Sequence, residues 1–282
     1  MQDLDDCIDK VNQLPPGPRI LARLLPLLSQ PDVDIEKVAE LIKYDPSLTA
    51  NVLHACNRAY LGAATPAGDL GEAIIRLGFR EVYRMVAGVS TGPALKPAQA
   101  GYGIENGELW KHSVTAAVAA QLIARDQGDD ESIVFTGALL HDIGKLILSQ
   151  SMEGSYAKLI VETEKNGCSL LEAEKKLLGV HHAEIGGRLL ARWNFPENLV
   201  AAVWFHHEPT AATAHNRLAA YLYVGNMVAY CLGHGYGHQA FALRDDAACL
   251  ELLELTPEDV QRYMIRTLEN FQVVEDFLRI ES

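Results

Sequence analysis

Ala138-Leu139-Leu140-His141-Asp142-Ile143-Gly144-Lys145 sets an imidazole beside a carboxylate inside an otherwise apolar run. In a helix that buries Leu139, Leu140 and Ile143, His141 and Asp142 carry a desolvation cost unless each meets a partner, and a metal ion is one such partner. The stretch predicts a helical core segment and, with it, further ligands supplied by other helices. Working outward, apolar residues recur at helical spacing almost everywhere, and Val/Ile/Thr-rich alternating runs are missing. The chain reads as all-α.

Upstream, Pro15-Pro16-Gly17-Pro18 holds the chain extended before a helix whose apolar face is Ile20, Leu21, Leu24, Leu25 and Leu28. Asp34 caps a second helix with the stripe Ile35, Val38, Ala39, Leu41 and Ile42, and Asp45-Pro46 starts a third with Leu48, Val52, Leu53 and Ala55 inward. Asp69 precedes Ala73, Ile74 and Leu77, Gly78 is the stop, and a further helix runs from Arg80 through Val89. Gly92, Pro93, Pro97, Gly101, Gly103 and Gly107 then crowd together and mark a boundary. The expected layout is an N-terminal helical lobe over 1–97 packed on a metal-site helical bundle over 98–282. In that bundle, Glu108 to Arg125 is a helix lined with Ser113, Ala116, Ala117, Ala119 and Ala120, which lets a neighbour approach closely. Ser132 to Leu148 carries the His-Asp pair, Ser169-Leu170-Leu171-Glu172 is a capping box, and His182 through Trp193 is the next helix. Pro196 starts a helix ending in His206-His207-Glu208-Pro209, Arg217 to Leu232 is helical, and Thr256-Pro257-Glu258-Asp259 caps a terminal helix.

With 24 Lys plus Arg against 37 Asp plus Glu, the 282-residue chain carries a formal net charge of −13, which repels a phosphate backbone and disfavours nucleic acid as the main partner. The acidic start Met1-Gln2-Asp3-Leu4-Asp5-Asp6 is unlike a signal peptide, and no apolar run is expected to reach the length of a membrane span. A cytoplasmic protein is expected, with no membrane partner. The 5 cysteines are scattered, without a Cys-x-x-Cys pair, so neither a disulfide framework nor a thiolate zinc site is indicated.

The polar residues on apolar helices form a series: Glu108 and His112 at i and i+4, His141 with Asp142, His182, and His206 with His207. The i, i+4 spacing puts Glu108 and His112 on one helix face, and a carboxylate such as Asp142 can bridge two ions. Imidazoles with carboxylates and no thiolate suit a divalent metal, iron or manganese first, with zinc, magnesium or nickel as alternatives. Lys145, one turn beyond His141, is placed to hold an anionic oxygen or to pair with a carboxylate. Each residue alone has a plainer reading as a satisfied core histidine or a solvated helix face, but the series together favours metal. His54, His181, His215, His234 and His238 read as structural or exposed.

This series resembles the HD superfamily of metal-dependent phosphohydrolases, in which a first histidine, a His-Asp doublet and a late aspartate hold the metal. His182, His206 and His207 are similar to the extra histidines of the HD-GYP branch. Two departures stand out: Asn226, in Leu222-Tyr223-Val224-Gly225-Asn226, replaces the late aspartate, and His207 is followed by Glu208-Pro209-Thr210-Ala211 where a Gly-Tyr-Pro element is expected. An amide oxygen can coordinate but adds no negative charge, so affinity for an ion there falls. Recognition of a cyclic dinucleotide through the missing element does not carry over. Leu14-Pro15-Pro16, Leu41-Ile42-Lys43-Tyr44-Asp45-Pro46-Ser47-Leu48-Thr49, Ala73-Ile74-Ile75-Arg76-Leu77-Gly78 and Trp110-Lys111-His112-Ser113 resemble the HDOD module, the HD-related output domain of bacterial signalling proteins. The resemblance implies an all-helical regulatory domain whose partners are signalling proteins, here with a retained, dinuclear-capable metal site. The alternative it implies is a working phosphohydrolase or phosphodiesterase on a phosphorylated small molecule, nucleotide or cyclic dinucleotide. There, two ions bridged by Asp142 activate water while Lys145 orients the substrate. Oxygen-dependent chemistry at a di-iron centre ranks third.

Overall fold

The computed structural model describes residues 19–28, 34–43, 69–151, 156–235 and 246–278, together with Leu48, Thr49, Val52, Leu53, Cys56 and Ala67. The Pro15–Pro18 segment, the Asp45-Pro46 cap, His54, Ala55 and His238 lie outside these residues. The described chain is all-α, and its only extended pairing is an isolated bridge between Gln99 and Ile104. It divides into two compact units, one of residues 94–272 and one built chiefly from residues 15–93.

In the smaller unit, α1 (Arg19–Leu28) buries Leu21, Leu24 and Leu25, the i, i+3, i+4 stripe of an amphipathic helix. Asp34 accepts the Lys37 amide at the start of α2 (Ile35–Ile42), and Val38 and Ile42 face inward. Asp69 does the same for Glu72 at the start of α3 (Leu70–Leu77), which stops at Gly78 with φ 80°, a left-handed conformation natural to glycine. The next helix, α4 (Phe79–Leu95), runs beyond its expected end at Val89 and carries Pro93 inside it. Proline supplies no amide for the Val89 carbonyl, and two residues earlier the Thr91 hydroxyl donates to the Ala87 carbonyl at 2.8 Å.

The larger unit is organised by α5 (Glu108–Gln127) and α12 (Asn216–Cys231). A Cβ at Gly225 would stand 2.5 Å from the Ala116 carbonyl oxygen and 2.9 Å from Ala120 Cβ, so these backbones meet only because 225 is glycine and 116 and 120 are alanine. Asp130 caps α6 (Glu131–Leu140) through the amides of Ser132 and Ile133. The His-Asp pair departs from expectation here. It does not lie within a helix but in a tight turn, residues 141–143, between α6 and α7 (Gly144–Ser151). The His141 ring takes the Ala138 carbonyl at 2.6 Å, and Ile143 and Lys145 bond back only three residues, to Leu140 and Asp142. Gly144 permits the turn: a Cβ there would overlap the His182 carbonyl and stand 2.7 Å from the Gly186 amide. The apolar stretch Glu131–Ser149 does reach the length of a membrane span, contrary to expectation, but it contains this turn and is 94% buried as core.

The remaining elements position the site. After α8 (Tyr156–Ile160) and one π turn, both halves of the Ser169/Glu172 capping box form and start α9 (Leu170–Leu178). His181 caps α10 (His182–Arg192) through the Glu184 amide, α11 is Glu197–Trp204, and a 3₁₀ segment, Pro209–His215, leads into α12. Then come α13 (Asp246–Leu252) and α14 (Pro257–Leu278), the latter capped by Thr256, whose hydroxyl accepts the Asp259 amide.

Candidate metal centre

Asp142 stands at the middle of a buried cluster. Its Oδ2 is 2.6 Å from Lys145 Nζ, 3.3 Å from His141 Nε2 and 3.7 Å from His112 Nε2, and its Oδ1 is 3.3 Å from His182 Nε2 and 3.9 Å from His206 Nε2. His112 Nε2 and His141 Nε2 are 3.3 Å apart, and His182 Nε2 and His207 Nε2 3.0 Å. The ligand atoms form two sets sharing Asp142, one with His112 and His141, the other with His182, His206 and His207, each set within 4.8 Å.

The outer ring nitrogens explain why the inner ones face each other. His141 Nδ1 donates to the Ala138 carbonyl at 2.6 Å, His206 Nδ1 to Val203 at 2.7 Å, His112 Nδ1 to His234 at 2.9 Å, and His182 Nδ1 to the Glu174 carboxylate at 2.8 Å. A proton on Nδ1 leaves a lone pair on Nε2. With the rings neutral, these lone pairs converge on one another and on a carboxylate in a dry interior, an arrangement that repels unless a proton or a metal cation sits among them. The spacing agrees, since nitrogens about 2.1 Å from one ion at a right angle are about 3.0 Å apart. In addition, His206 Nε2 and Asn226 Oδ1 are buried with no hydrogen-bond partner, which is rare for native polar atoms. The donor set therefore fits a divalent metal.

Burial, reinforced by the charge of His141, pushes His112 down to about 3, and burial with neighbouring imidazoles holds His206 and His207 well below the ordinary histidine range. For Asp142, burial alone would raise the carboxyl, but His141 and Lys145 outweigh it and hold it well below its usual range. Glu174 is likewise lowered, burial being overcome by the charge and hydrogen bonds of His182. His182 moves the other way: burial pulls it down, but Glu174 raises it above 6.5.

These shifts set a pH dependence for the metal-free protein. The unfolded chain takes up protons near 6.5 at His112, His206 and His207 where the folded chain does not, so stability falls as pH drops below that point, by up to about 1.4 kcal/mol per unit for each histidine. Asp142 and Glu174 add to the loss below about 4, while His182, raised by Glu174, opposes it. Urea midpoints at pH 7.5 and 5.5 should differ clearly, the acid one lower. Equal midpoints would mean that these imidazoles are hydrated.

Of the residues singled out in the sequence, His112, His141, Asp142, Lys145, His182, His206 and His207 meet in this cluster, and Asn226 is buried on α12. Glu108 does not join. It lies at the first turn of α5, where its carboxylate accepts the Glu105 amide at 2.8 Å, serving the helix end instead of an ion. His234, read as structural or exposed, supplies the carbonyl behind His112, and its ring meets the Thr115 hydroxyl at 2.7 Å. Glu174 and Tyr102 were not anticipated. Glu174 is fully buried, accepts the His182 amide as well as the ring, and takes the Tyr102 hydroxyl at 2.7 Å. Burial and the Glu174 charge push that phenol well above its ordinary range, so it remains the donor. A signal for Glu174 did exist: it stands four residues after Leu170 and next to Ala173, on the buried stripe of α9. Tyr102 lies in the glycine-rich stretch and carried none.

Fold and site together define a helical protein with a buried histidine and aspartate centre able to hold a divalent metal. The chain belongs to the HDOD domain family, whose model matches residues 14–209. A Treponema pallidum (strain Nichols) protein of uncharacterised role is 27% identical over 223 residues, covering 78% of this chain and 42% of that protein, so the chain spans less than half of its relative's length. Ribonuclease Y of Geobacillus kaustophilus is 46% identical over 52 residues, 18% of this chain and 10% of the enzyme. Among solved structures, a candidate phosphohydrolase from Shewanella amazonensis SB2B is similar with TM-score 0.68 and 25% identity, covering 93% of each chain. A candidate signal-transduction protein from Marinobacter aquaeolei VT8 shares the fold with TM-score 0.73 and 23% identity over 99% of this chain and 62% of that one.

Proposed function

We propose that this protein is a bacterial signal-transduction module that binds a divalent metal, iron or manganese, and passes information to partner signalling proteins. Up to two ions would be held, one by His112, His141, Asn226 and Asp142 Oδ2, the other by His182, His206, His207 and Asp142 Oδ1. The observation that carries this reading is burial: His112, His141, His182 and His206 are 0% exposed, Asp142 and Lys145 1%, and His207 9%. A catalytic metal keeps an open position for water and substrate, whereas a structural one is closed over by protein. The test is a screen of nucleotides, cyclic dinucleotides and simple phosphodiesters with added Mn²⁺ or Fe²⁺. No turnover that depends on Asp142 is expected, and turnover abolished in Asp142→Ala would establish a hydrolase instead.

The second reading, a phosphohydrolase, is favoured by Lys145, whose ammonium lies 2.6 Å from the shared carboxylate. When bound, a metal pair would supply Lewis acidity and an acidified water. Of the chain's own groups, Asp142 would orient the ions, Lys145 would hold an anionic substrate oxygen, and Glu174 would fix the His182 ring.

Asn226 offers a separate check on the ligand set. Asn226→Asp restores a negative charge at a buried oxygen, and metal affinity measured against a chelating dye should rise about tenfold or more. Unchanged affinity would remove Asn226 from the set.

A further inference from the structure

The two oxygens of Asp142 face unlike surroundings. On the Oδ1 side stand His182, His206 and His207, and behind His182 lies the buried Glu174, whose carboxylate accepts the ring Nδ1 at 2.8 Å, the His182 amide at 2.7 Å and the Tyr102 hydroxyl at 2.7 Å. The ring is thus anchored at its nitrogen and at its own backbone, and a negative charge stands one imidazole away from the place an ion would take. The Oδ2 side is backed differently. His112 and His141 lean on the neutral carbonyls of His234 and Ala138, and the Lys145 ammonium already lies 2.6 Å from the oxygen an ion would need. A cation approaching Oδ2 meets a positive charge that it must displace or tolerate, and in a low-dielectric interior that repulsion is strong.

We infer that the two halves of the centre bind metal unequally: the tight ion lies among His182, His206, His207 and Asp142 Oδ1, with Glu174 as its positioning residue, and Lys145 keeps the His112–His141 half weak. This rests on the metal-binding reading above and adds an order of filling, with opposite influences for Glu174 and Lys145. Carboxylates behind ligating histidines raise ligand basicity and typically contribute tenfold to hundredfold in affinity. A further consequence is that the tight ion is tied through Glu174 and Tyr102 to the 3₁₀ turn Ala100–Tyr102, whose Gly101 amide donates to Ser149 Oγ at 3.1 Å.

The experiment is titration of the metal-free full chain with manganese(II) alone, following bound ions by calorimetry and by metal content after gel filtration. Wild type should retain one ion through the column and bind a second at least about tenfold more weakly. His206→Gln should lose the retained ion, whereas His112→Gln should keep it. Glu174→Gln should weaken the retained ion about tenfold to a hundredfold while leaving the weak one unchanged, and Glu174→Asp should recover part of the loss. Lys145→Met should strengthen the weak ion, a gain that misfolding cannot imitate. Retention by His206→Gln but not by His112→Gln would overturn the inference and leave the metal-binding reading standing. So would a Glu174→Gln chain that binds as wild type does, or no gain in Lys145→Met. A wild-type chain that binds no manganese overturns both.

Discussion

Asp142→Ala is expected to leave the protein with background metal content, since among the described residues no other side chain supplies a ligand to both halves of the cluster. Oδ1 lies toward His182 and His206, Oδ2 toward His141 and His112, and no other residue belongs to both ligand sets among the described residues. Removing it withdraws the only carboxylate ligand from each set and the counter-charge from the buried Lys145. Breaking one side of a buried ion pair costs about 3–5 kcal/mol, so the metal-free variant should also unfold at markedly lower urea. Asp142→Asn separates the two effects. It keeps the shape and should lose the metal with a smaller loss of stability. Elemental analysis of the purified variants decides it, and an Asp142→Ala chain with wild-type metal content would show that the ion binds elsewhere.

Gly144→Ala should be nearly as damaging, although residue 144 offers no ligand. Its Cβ would collide with main-chain atoms of His182 and Gly186, which cannot swing aside as the end of a flexible side chain could. Relief requires α7 and α10 to separate, which moves the 141–143 turn away from His182 and pulls Asp142 Oδ1 from the imidazole it now approaches to 3.3 Å. Overpacking of this kind costs about 1–3 kcal/mol in tolerant cores, and a clash against backbone belongs at or above the upper end. The variant should show a depressed melting temperature together with weakened metal retention. A variant as stable as wild type would mean that the two backbones are further apart than described.

How much could be read beforehand depended on whether a feature was local in the chain. Asp34, Asp69, Ser169 and Thr256 each satisfy an amide three residues on, and the sequence marks such caps directly. The all-α class followed from apolar spacing, and the histidine series was visible because polar groups on apolar helices are costly without a partner. Glu108 misled for the same local reason. An i, i+4 pair shares a helix face, but a glutamate in the first turn is also drawn to free backbone amides, and here the Glu105 amide takes it. The extension of α4 through Pro93 and the break at residues 141–143 likewise went against local propensity.

By itself, then, the amino-acid order determined the all-α class, caps such as Asp34, Asp69 and Ser169, and most of the side chains whose burial demands a cation. Which oxygen of Asp142 serves which imidazoles, the exclusion of Glu108, and the support of His182 by Glu174 and Tyr102 were decided only in three dimensions. These depend on how close backbones from distant segments come at Gly144 and Gly225, a quantity set by packing across the whole unit that no short window of sequence encodes.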